Sequence, residues 1–254
     1  MRDRTLNAAT LMTARPRGEE WRRRLIEHPR AITVLHFLMR HSPFGEVFDG
    51  VKTHVPAVTL TYDDGPNPPH TQAVLDVLNR HGVRATFFMI GRNIASHPDA
   101  AREVVARGHA AGNHSYWHSP LVLRTPSFVR AQIAATDALL RSLGANGEIH
   151  FRSPYGRHLF AVAFVLARQK RKSILGHVGG DDWMTQDPDC IAQRVVARVT
   201  PGAIILLHDG GGPRDGTAVA TGLIIEQLRR RGYAFVSIDE LLALDRTHAG
   251  PHTR

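Results

Sequence analysis

At 254 residues the chain is long enough for one large α/β domain, and this length favours one domain over two. Its 32 Lys and Arg residues against 23 Asp and Glu residues give a formal net charge of +9, which favours anionic partners or surfaces without naming one. The single cysteine, Cys190, excludes an intramolecular disulfide and a cysteine-rich metal site.

Residues 1–54 differ in character from the rest and are predicted to form an N-terminal basic arm and a helical extension. A helix is predicted over 19–40, where Trp21 and Leu25 share one face and the arginines at 22–24 crowd the other. Such an arginine run can indicate nucleic-acid binding, but a solvated helix face explains it better. No aromatic residues interleave with the arginines, so we expect no nucleic-acid partner.

The longest apolar run near the N-terminus covers residues 31–39 and is interrupted by His36. It is too short to cross a bilayer, so no transmembrane segment is predicted. It also begins late and lacks a small-residue cleavage site after it, unlike a signal peptide. We therefore expect a cytoplasmic protein, and the sequence leaves its oligomeric state open.

From residue 55 to residue 254, apolar strand patterns alternate with amphipathic helix patterns. The predicted strands cover 57–62, 84–90, 109–113, 148–152, 173–178, 203–208 and 234–238. The predicted helices cover 70–81, 94–106, 127–143, 160–171, 191–199 and 219–231. This alternation predicts an α/β fold, a (β/α) barrel of about seven parallel strands that is either complete or incomplete. In such barrels the chemistry gathers at the C-terminal ends of the strands.

The first predicted strand ends in two adjacent carboxylates, Asp63 and Asp64, within the sequence TYDDGP. Gly65 and Pro66 then turn the backbone. Because two neighbouring carboxylates repel each other, we expect a cation between them. A metal ion would hold one as a ligand and leave the other free to act as a base. The alternative is a turn whose aspartates accept hydrogen bonds from nearby backbone amides.

Two histidines, His114 and His118, follow the third predicted strand four positions apart. On a helical turn this spacing places both imidazoles on one side, which suits a single metal ion. With 16 histidines in the chain, a chance pair is the alternative. Together with Asp64 the pair would give three protein ligands and leave positions open for water and substrate, which is typical of a catalytic metal site.

The fourth predicted strand ends at Arg152, which is followed by Pro154 and Tyr155. An arginine there can orient a catalytic carboxylate through paired hydrogen bonds, although an ordinary surface ion pair is the alternative. Pro154 stiffens the loop, so the backbone amide of Tyr155 can serve as a fixed oxyanion donor.

The fifth and sixth predicted strands lead to Trp183 and to His208. Trp183 can belong to the core or can form the wall of a sugar site. His208 stands next to Asp209 in the sequence, and a carboxylate neighbour would hold the imidazole protonated for use as a general acid.

The chain from about residue 55 to residue 244, which contains all of these residues, resembles the NodB-homology polysaccharide deacetylases of carbohydrate esterase family four. TYDDGP, HSYWH, RSPYG, DDW and LLH match the five motifs of that family in the same order. The resemblance implies a distorted (β/α) barrel, one divalent metal ion that is usually Zn²⁺, and hydrolysis of N-acetyl groups on sugars.

The resemblance also implies a role for each matching residue. Asp63 would be the base that takes a proton from water, and Arg152 would orient it. The metal ligands would be Asp64, His114 and His118.

Further roles follow from the last three motifs. The amide of Tyr155 would stabilise the tetrahedral oxyanion together with the metal. His208 would protonate the leaving amine, and Asp182 would tune its pKa. Trp183 and Leu206 would line the pocket.

Two positions depart from the family pattern. Tyr62 stands where the family more commonly has Phe, which is a modest change. The family usually has Asp three positions before the aspartate that precedes Trp183, and this chain has Gly179, which leaves open how Asp182 is braced. The expected lack of an export signal favours a small acetamido sugar over a polymer, with chitooligosaccharide and peptidoglycan-type sugars as further candidates. The alternatives are a deformylase or another amidohydrolase with the same site, and a carbohydrate-binding protein without catalysis. The retained base and ligands disfavour the latter.

Overall fold

The structure is a computed structural model that describes residues 20–21, 47–157 and 159–245. Within the helix predicted over 19–40, Glu20 and Trp21 are helical, and the remainder of that segment lies outside the described residues. The predicted arm also lies outside them. The domain boundary at residue 54 stays a prediction.

Eight short strands lie between residues 47 and 245. They are β1 Val47–Phe48, β2 Ala57–Asp63, β3 Thr86–Met89, β4 Ala110–Asn113, β5 Ser173–Ile174, β6 Val178–Gly179, β7 Ala203–His208 and β8 Ala234–Phe235. All the ladders that join them are parallel.

Eight α-helices occupy the same part of the chain. They are α1 His70–His81, α2 Gly91–Ser96, α3 Pro98–Ala106, α4 Pro126–Ser142, α5 Phe160–Arg168, α6 Pro188–Arg198, α7 Asp215–Arg230 and α8 Ile238–Ala243. A 3₁₀ turn covers Pro154–Gly156. Within the described ranges, none of these helices combines the length and the apolar character that crossing a bilayer requires.

β2 is the centre of the sheet, whose strand order is β4-β3-β2-β7-β6. The N-terminal end of β2 also pairs with β8. Beyond β4, Phe151 forms parallel bridges to Asn113 and Ser173, and these lead on to β5 and then to β1. The sheet therefore wraps in a barrel-like arrangement, and the predicted α/β fold with parallel strands is confirmed. Among the described residues no ladder joins β6 to β5 or β1.

All seven residues of β2 are buried, which a parallel strand covered on both faces requires. The main core cluster joins β2 to the helices α1, α6 and α7 through apolar side chains such as Leu60, Val74, Val195 and Ile224. Because β2 and β7 run parallel with Asp63 opposite His208, their polar C-terminal ends meet at one edge of the sheet, where the site lies.

Several predicted elements are shorter or divided in the structure. The predicted helix 94–106 forms two helices, because Pro98 has no amide hydrogen to continue α2 and instead begins α3. The predicted strand 173–178 is interrupted around Gly176, a residue type that weakens strands. The predicted strand 234–238 ends early because Ser237 and Glu240 form a capping box that starts α8. Of the predicted strand 148–152 only Phe151 forms ladder bridges.

Candidate active site

The two carboxylates at the end of β2 separate because the backbone changes conformation between them. Asp63 is still in the sheet, opposite Phe88 of β3 and His208 of β7. Asp64 has a φ of 73°, a left-handed conformation that aspartate tolerates better than most residues. Its carbonyl accepts a hydrogen bond of 2.8 Å from the side chain of Asn93, which holds the turn.

Asp64, His114 and His118 come together at this turn. Oδ1 of Asp64 lies 3.5 Å from Nε2 of His114 and 3.2 Å from Nε2 of His118. Ligand atoms around a tetrahedral Zn²⁺ ion, each at ~2.0–2.1 Å from it, lie roughly 3.3 Å apart. The same Oδ1 atom is buried and has no hydrogen-bond donor among the described residues. The three residues therefore fit a divalent cation.

The pKa shifts of His118 and Asp64 and the hydrogen bond of His114 also suit a cation. Burial lowers the pKa of His118 to about 4, against the opposing effect of Asp64, so its imidazole is neutral. Burial would raise the pKa of Asp64, but the neighbouring His118 and His114 outweigh it and lower the pKa. Nδ1 of His114 donates to the carbonyl of Arg152 at 2.8 Å, which leaves Nε2 available to a cation.

A second group of possible ligands, Glu148, His150 and Asp239, was not found from the sequence. Nε2 of His150 is hydrogen bonded to Asp239 at 2.8 Å, and Glu148 pairs with the ammonium of Lys172 at 3.2 Å. Nδ1 of His150 is buried without a hydrogen-bond partner among the described residues and lies 3.7 Å from Oε1 of Glu148, and both carboxylates are exposed.

Arg152 binds Asp63 from beneath the site. The arginine is almost completely buried, with 1% of its surface exposed, and Nη1 donates to Oδ1 of Asp63 at 2.7 Å. Nη1 also donates to the hydroxyl of Thr61 at 2.8 Å, and Nε donates to the carbonyl of Ile174 at 2.9 Å. The other carboxylate oxygen of Asp63, Oδ2, faces His114 at 3.8 Å. Arg152 therefore fixes one oxygen and leaves the other directed at the site.

On the opposite side, Asp182 holds His208. Its Oδ1 accepts from Nδ1 of His208 at 2.8 Å, and its Oδ2 accepts from the backbone amide of His208 at 2.8 Å and from the hydroxyl of Thr217 at 2.9 Å. Burial disfavours the imidazolium, but the hydrogen bond and charge of Asp182 prevail and raise the pKa of His208 to about 9. The ring is thus protonated at neutral pH.

The sequence neighbour of His208 does not perform this task, which corrects the expectation drawn from adjacency. Asp209 points away, and its Oδ2 accepts from the hydroxyl of Thr71 at 2.6 Å. Asp209 lies just beyond the end of β7 and is bound to Thr71, so the partner of His208 comes from elsewhere in the chain. Burial raises the pKa of Asp209 to about 7.

Gly179 does not leave Asp182 without support. The nearest atom to a Cβ at position 179 would be the carbonyl oxygen of Leu206 at 3.6 Å, so the position is roomy. Asp182 is braced by His208 and Thr217, as described above. Thr217 could not be found from the sequence, because a lone threonine within a helix pattern forms no motif.

The remaining predicted residues lie around the same edge. Tyr155 occupies the 3₁₀ turn with a φ of 59°, and its ring lies 4.7 Å from that of His118. Trp183 has 64% of its surface exposed. Leu206 is half-buried on β7, where a Cβ on Gly176 would come within 2.6 Å of the leucine Cβ. Gly176 is therefore required for the close approach to Leu206.

Comparison with known proteins gives matches to one family. The polysaccharide deacetylase family model matches residues 50–172. A chitooligosaccharide deacetylase of Bradyrhizobium sp. (strain ANU 289) is 36% identical over 197 residues, which are 73% of this chain and 90% of the relative.

Among solved structures, a peptidoglycan N-acetylglucosamine deacetylase in complex with a naphthalenyl N-oxidanyl-benzamide superposes with a TM-score of 0.75 at 30% identity, covering 80% of this chain and 96% of that one. A family-four pseudoenzyme from Bacillus anthracis has a TM-score of 0.72 at 27% identity, covering 79% and 70%. Because a pseudoenzyme shares this fold, catalysis has to be argued from the residues of the site.

Proposed function

This chain belongs to the polysaccharide deacetylase family, and we propose that it hydrolyses the N-acetyl group of an N-acetylamino sugar, releasing acetate and a free amine. The observation that carries this proposal is the meeting of three parts at one edge of the sheet. These parts are the Asp64, His114 and His118 group, the carboxylate held by Arg152, and the imidazole held by Asp182. The names of the relatives suggest chitooligosaccharide or peptidoglycan-type sugars as the substrate class.

An amide is hard to hydrolyse because its carbonyl is a weak electrophile and its nitrogen is a poor leaving group. A divalent cation, Zn²⁺ in this proposal, held by Asp64, His114 and His118 would polarise the acetyl carbonyl and make water nucleophilic near neutral pH.

Asp63 is proposed as the general base. Its Oδ2 faces the ligand group, so it can accept the proton that water loses as its oxygen bonds to the acetyl carbon. Arg152 holds the carboxylate in a fixed orientation through Oδ1. The backbone amide of Tyr155 would donate to the carbonyl oxygen as negative charge develops on it.

His208 is proposed as the general acid. When the carbon–nitrogen bond breaks, the nitrogen takes a proton from the imidazolium and leaves as a neutral amine. The raised pKa of about 9 keeps this proton available at neutral pH. Nδ1 is bound to Asp182, so Nε2 is the atom that donates. Trp183 and Leu206 would line the pocket beside the sugar and the acetyl methyl.

The test is acetate release from a panel of N-acetylated sugars, from monosaccharides to chitooligosaccharides and peptidoglycan fragments, with the corresponding N-formyl sugars for comparison. We expect acetate from at least one acetylated sugar, loss of the activity with a chelator, and recovery with Zn²⁺. Asp64→Ala should lose bound metal, whereas the exposed control Asp76→Ala should keep it. Absence of acetate from every metal-loaded assay would contradict the proposal.

A further inference from the structure

A cluster of three polar residues lies outside the candidate active site and has no part in the proposed chemistry. It consists of Glu148, His150 and Asp239, and we call it the His150 cluster. One possible ligand atom from each residue lies within 4.8 Å of the other two. Glu148 and His150 precede the bridges formed by Phe151, whereas Asp239 lies in the first turn of α8. The fold therefore brings together residues that are far apart in the sequence.

The two ring nitrogens of His150 have different surroundings. Nε2 is hydrogen bonded to Oδ1 of Asp239 at 2.8 Å, and because a carboxylate oxygen accepts, Nε2 carries the proton. Nδ1 is buried and has no hydrogen-bond partner among the described residues. The whole residue is only 4% exposed. A buried polar atom without a partner is uncommon in folded proteins and indicates that the atom contacts an ion or a water molecule.

The distance between Nδ1 of His150 and Glu148 distinguishes an ion from a direct hydrogen bond. Nδ1 lies 3.7 Å from Oε1 of Glu148, which is too long for a hydrogen bond. Two ligand atoms of a tetrahedral Zn²⁺ ion lie roughly 3.3 Å apart, and Asp64 and His114 of the active site are 3.5 Å apart. A histidine that binds a metal usually donates its other ring N–H to a carboxylate, as Nε2 does to Asp239.

The exposure of the carboxylates allows an ion to enter from solvent. The side chain of Glu148 is 38% exposed and that of Asp239 is 67% exposed, so an ion bound at Oε1 can keep water ligands. The ammonium of Lys172 pairs with the other oxygen of Glu148, Oε2, at 3.2 Å and leaves Oε1 available. An imidazole ligand favours Zn²⁺ over Mg²⁺ and Ca²⁺, which prefer oxygen ligands.

We propose that the His150 cluster is a second divalent-cation site, in which Nδ1 of His150 and Oε1 of Glu148 bind Zn²⁺. Asp239 fixes the imidazole ring through its other nitrogen. Because Asp239 belongs to α8, the bound ion stabilises the contact between this helix and the segment that precedes Phe151. The ion has no role in hydrolysis, so this inference does not depend on the proposed deacetylase function.

The experiment measures Zn²⁺ bound per chain by equilibrium dialysis and elemental analysis of the full chain. We expect two ions in the wild type and one in Asp64→Ala, which removes the ion of the active site. Adding His150→Gln to Asp64→Ala should remove the remaining ion. Adding His97→Gln is the matched control, because His97 is exposed and lies outside the cluster, and it should leave the ion bound. Asp239→Asn should weaken Zn²⁺ binding by about 10–100-fold, the usual effect of losing such a carboxylate.

Thermal unfolding of the same variants gives an independent measurement. Zn²⁺ should raise the Tm of Asp64→Ala, since an ion that binds only the folded state stabilises it, and Mg²⁺ should not. His150→Gln should abolish this rise, and His97→Gln should retain it. Lys172→Gln should tighten the binding of Zn²⁺ to Asp64→Ala severalfold, because it removes a positive charge that repels the ion.

Two outcomes would overturn the inference. Equal Zn²⁺ content in the His150→Gln and His97→Gln chains would assign the remaining ion to other histidines. No bound Zn²⁺ in Asp64→Ala would mean that the imidazole of His150 lies between two carboxylates without an ion. Both outcomes leave the deacetylase proposal intact, since acetate release by the wild type tests it separately. If His150→Gln fails to fold, Glu148→Gln takes its place.

Discussion

Two buried carboxylates flank the proposed ligand group, and each is paired with a different kind of cation. Asp63 is paired with Arg152 at 2.7 Å, and Asp182 with His208 at 2.8 Å. A guanidinium keeps its charge at every pH at which a protein is folded, whereas an imidazolium can give up its proton. The first pair is thus fixed in charge, and the second can deliver a proton.

The two pairs also differ in which partner is immobilised. On the first side the cation is held, because Arg152 is bound to Thr61 and Ile174 as well as to Asp63. On the second side the carboxylate is held, because Asp182 accepts from Thr217 and from the backbone amide of His208. In each pair, the group proposed to exchange a proton with water or substrate has one polar atom that takes no part in the pair. These atoms are Oδ2 of Asp63 and Nε2 of His208. A proton acceptor and a proton donor are thereby placed at opposite sides of one site.

Removing the acceptor should have the largest effect. Asp63→Asn should lower kcat by roughly 10²–10⁴-fold, the contribution typical of a general base. Bound metal, measured by elemental analysis, should stay near the wild-type level, since Asp63 is not among the proposed ligands. The neighbouring carboxylate provides the contrast, because Asp64→Asn should lose metal. Undiminished acetate release by Asp63→Asn would remove Asp63 from the role of base.

Removing the charge of Arg152, on the same side of the site, should chiefly lower the free energy of unfolding. Arg152→Met leaves Asp63 buried without its counter-ion, and breaking a buried pair in this way costs about 3–5 kcal/mol. The measurement is the free energy of unfolding in urea. As a control, Arg102→Met disrupts the exposed pair between Arg102 and Asp99 and should leave the midpoint unchanged. Equal urea midpoints for the two variants would mean that the buried pair of Arg152 and Asp63 stabilises the fold no more than the exposed pair does.

For the pair of Asp182 and His208, the expected effect is on the pH dependence of kcat. Asp182→Asn removes the charge that raises the pKa of His208 to about 9, so the general acid would lose its proton at lower pH. The alkaline limb of the kcat profile should therefore move to lower pH. Asp181→Asn, which changes the adjacent and more exposed carboxylate, should leave the limb in place. If the alkaline limb does not move in Asp182→Asn, His208 is not the proton donor.

The pair of Asp182 and His208 also predicts how the free energy of unfolding changes with pH. Because the folded state raises the pKa of His208, the pair contributes fully below the ordinary histidine pKa of ~6.5, and its contribution is lost as the pH rises through about 9. Urea unfolding of wild type and Asp182→Asn at pH 6 and at pH 10 should show a larger difference between them at pH 6. A difference that grows towards pH 10 would contradict this sign.

The smallest effect is expected for Trp183, which follows Asp182 in the chain and is exposed to solvent. Trp183→Ala should raise KM for chitooligosaccharides by roughly twofold to tenfold, the loss of one aromatic contact of about 0.5–1.5 kcal/mol, and should leave kcat unchanged. Met184 is equally exposed and adjacent, so Met184→Ala is the control. If both variants change KM equally, Trp183 does not contact the sugar.

Much of this arrangement was accessible from the sequence. The alternation of strand and helix patterns predicted the parallel α/β fold, and the positions of Asp63, His114 and Arg152 at predicted strand ends placed them at one edge. That inference works because parallel strands present their C-terminal ends together, whatever their exact length. The lengths of helices and strands were less accessible, since Gly176, Pro98 and the Ser237 cap end elements locally.

The sequence by itself determined which chemical groups reach the C-terminal edge of the sheet, because strand and helix periodicity are local properties of the chain. Only the tertiary structure decided which groups meet there. Asp182 rather than the adjacent Asp209 holds His208, and Arg152 reaches Asp63 across 89 positions of chain. Such contacts depend on the curvature of the sheet and the packing of loops on it, which no local pattern specifies.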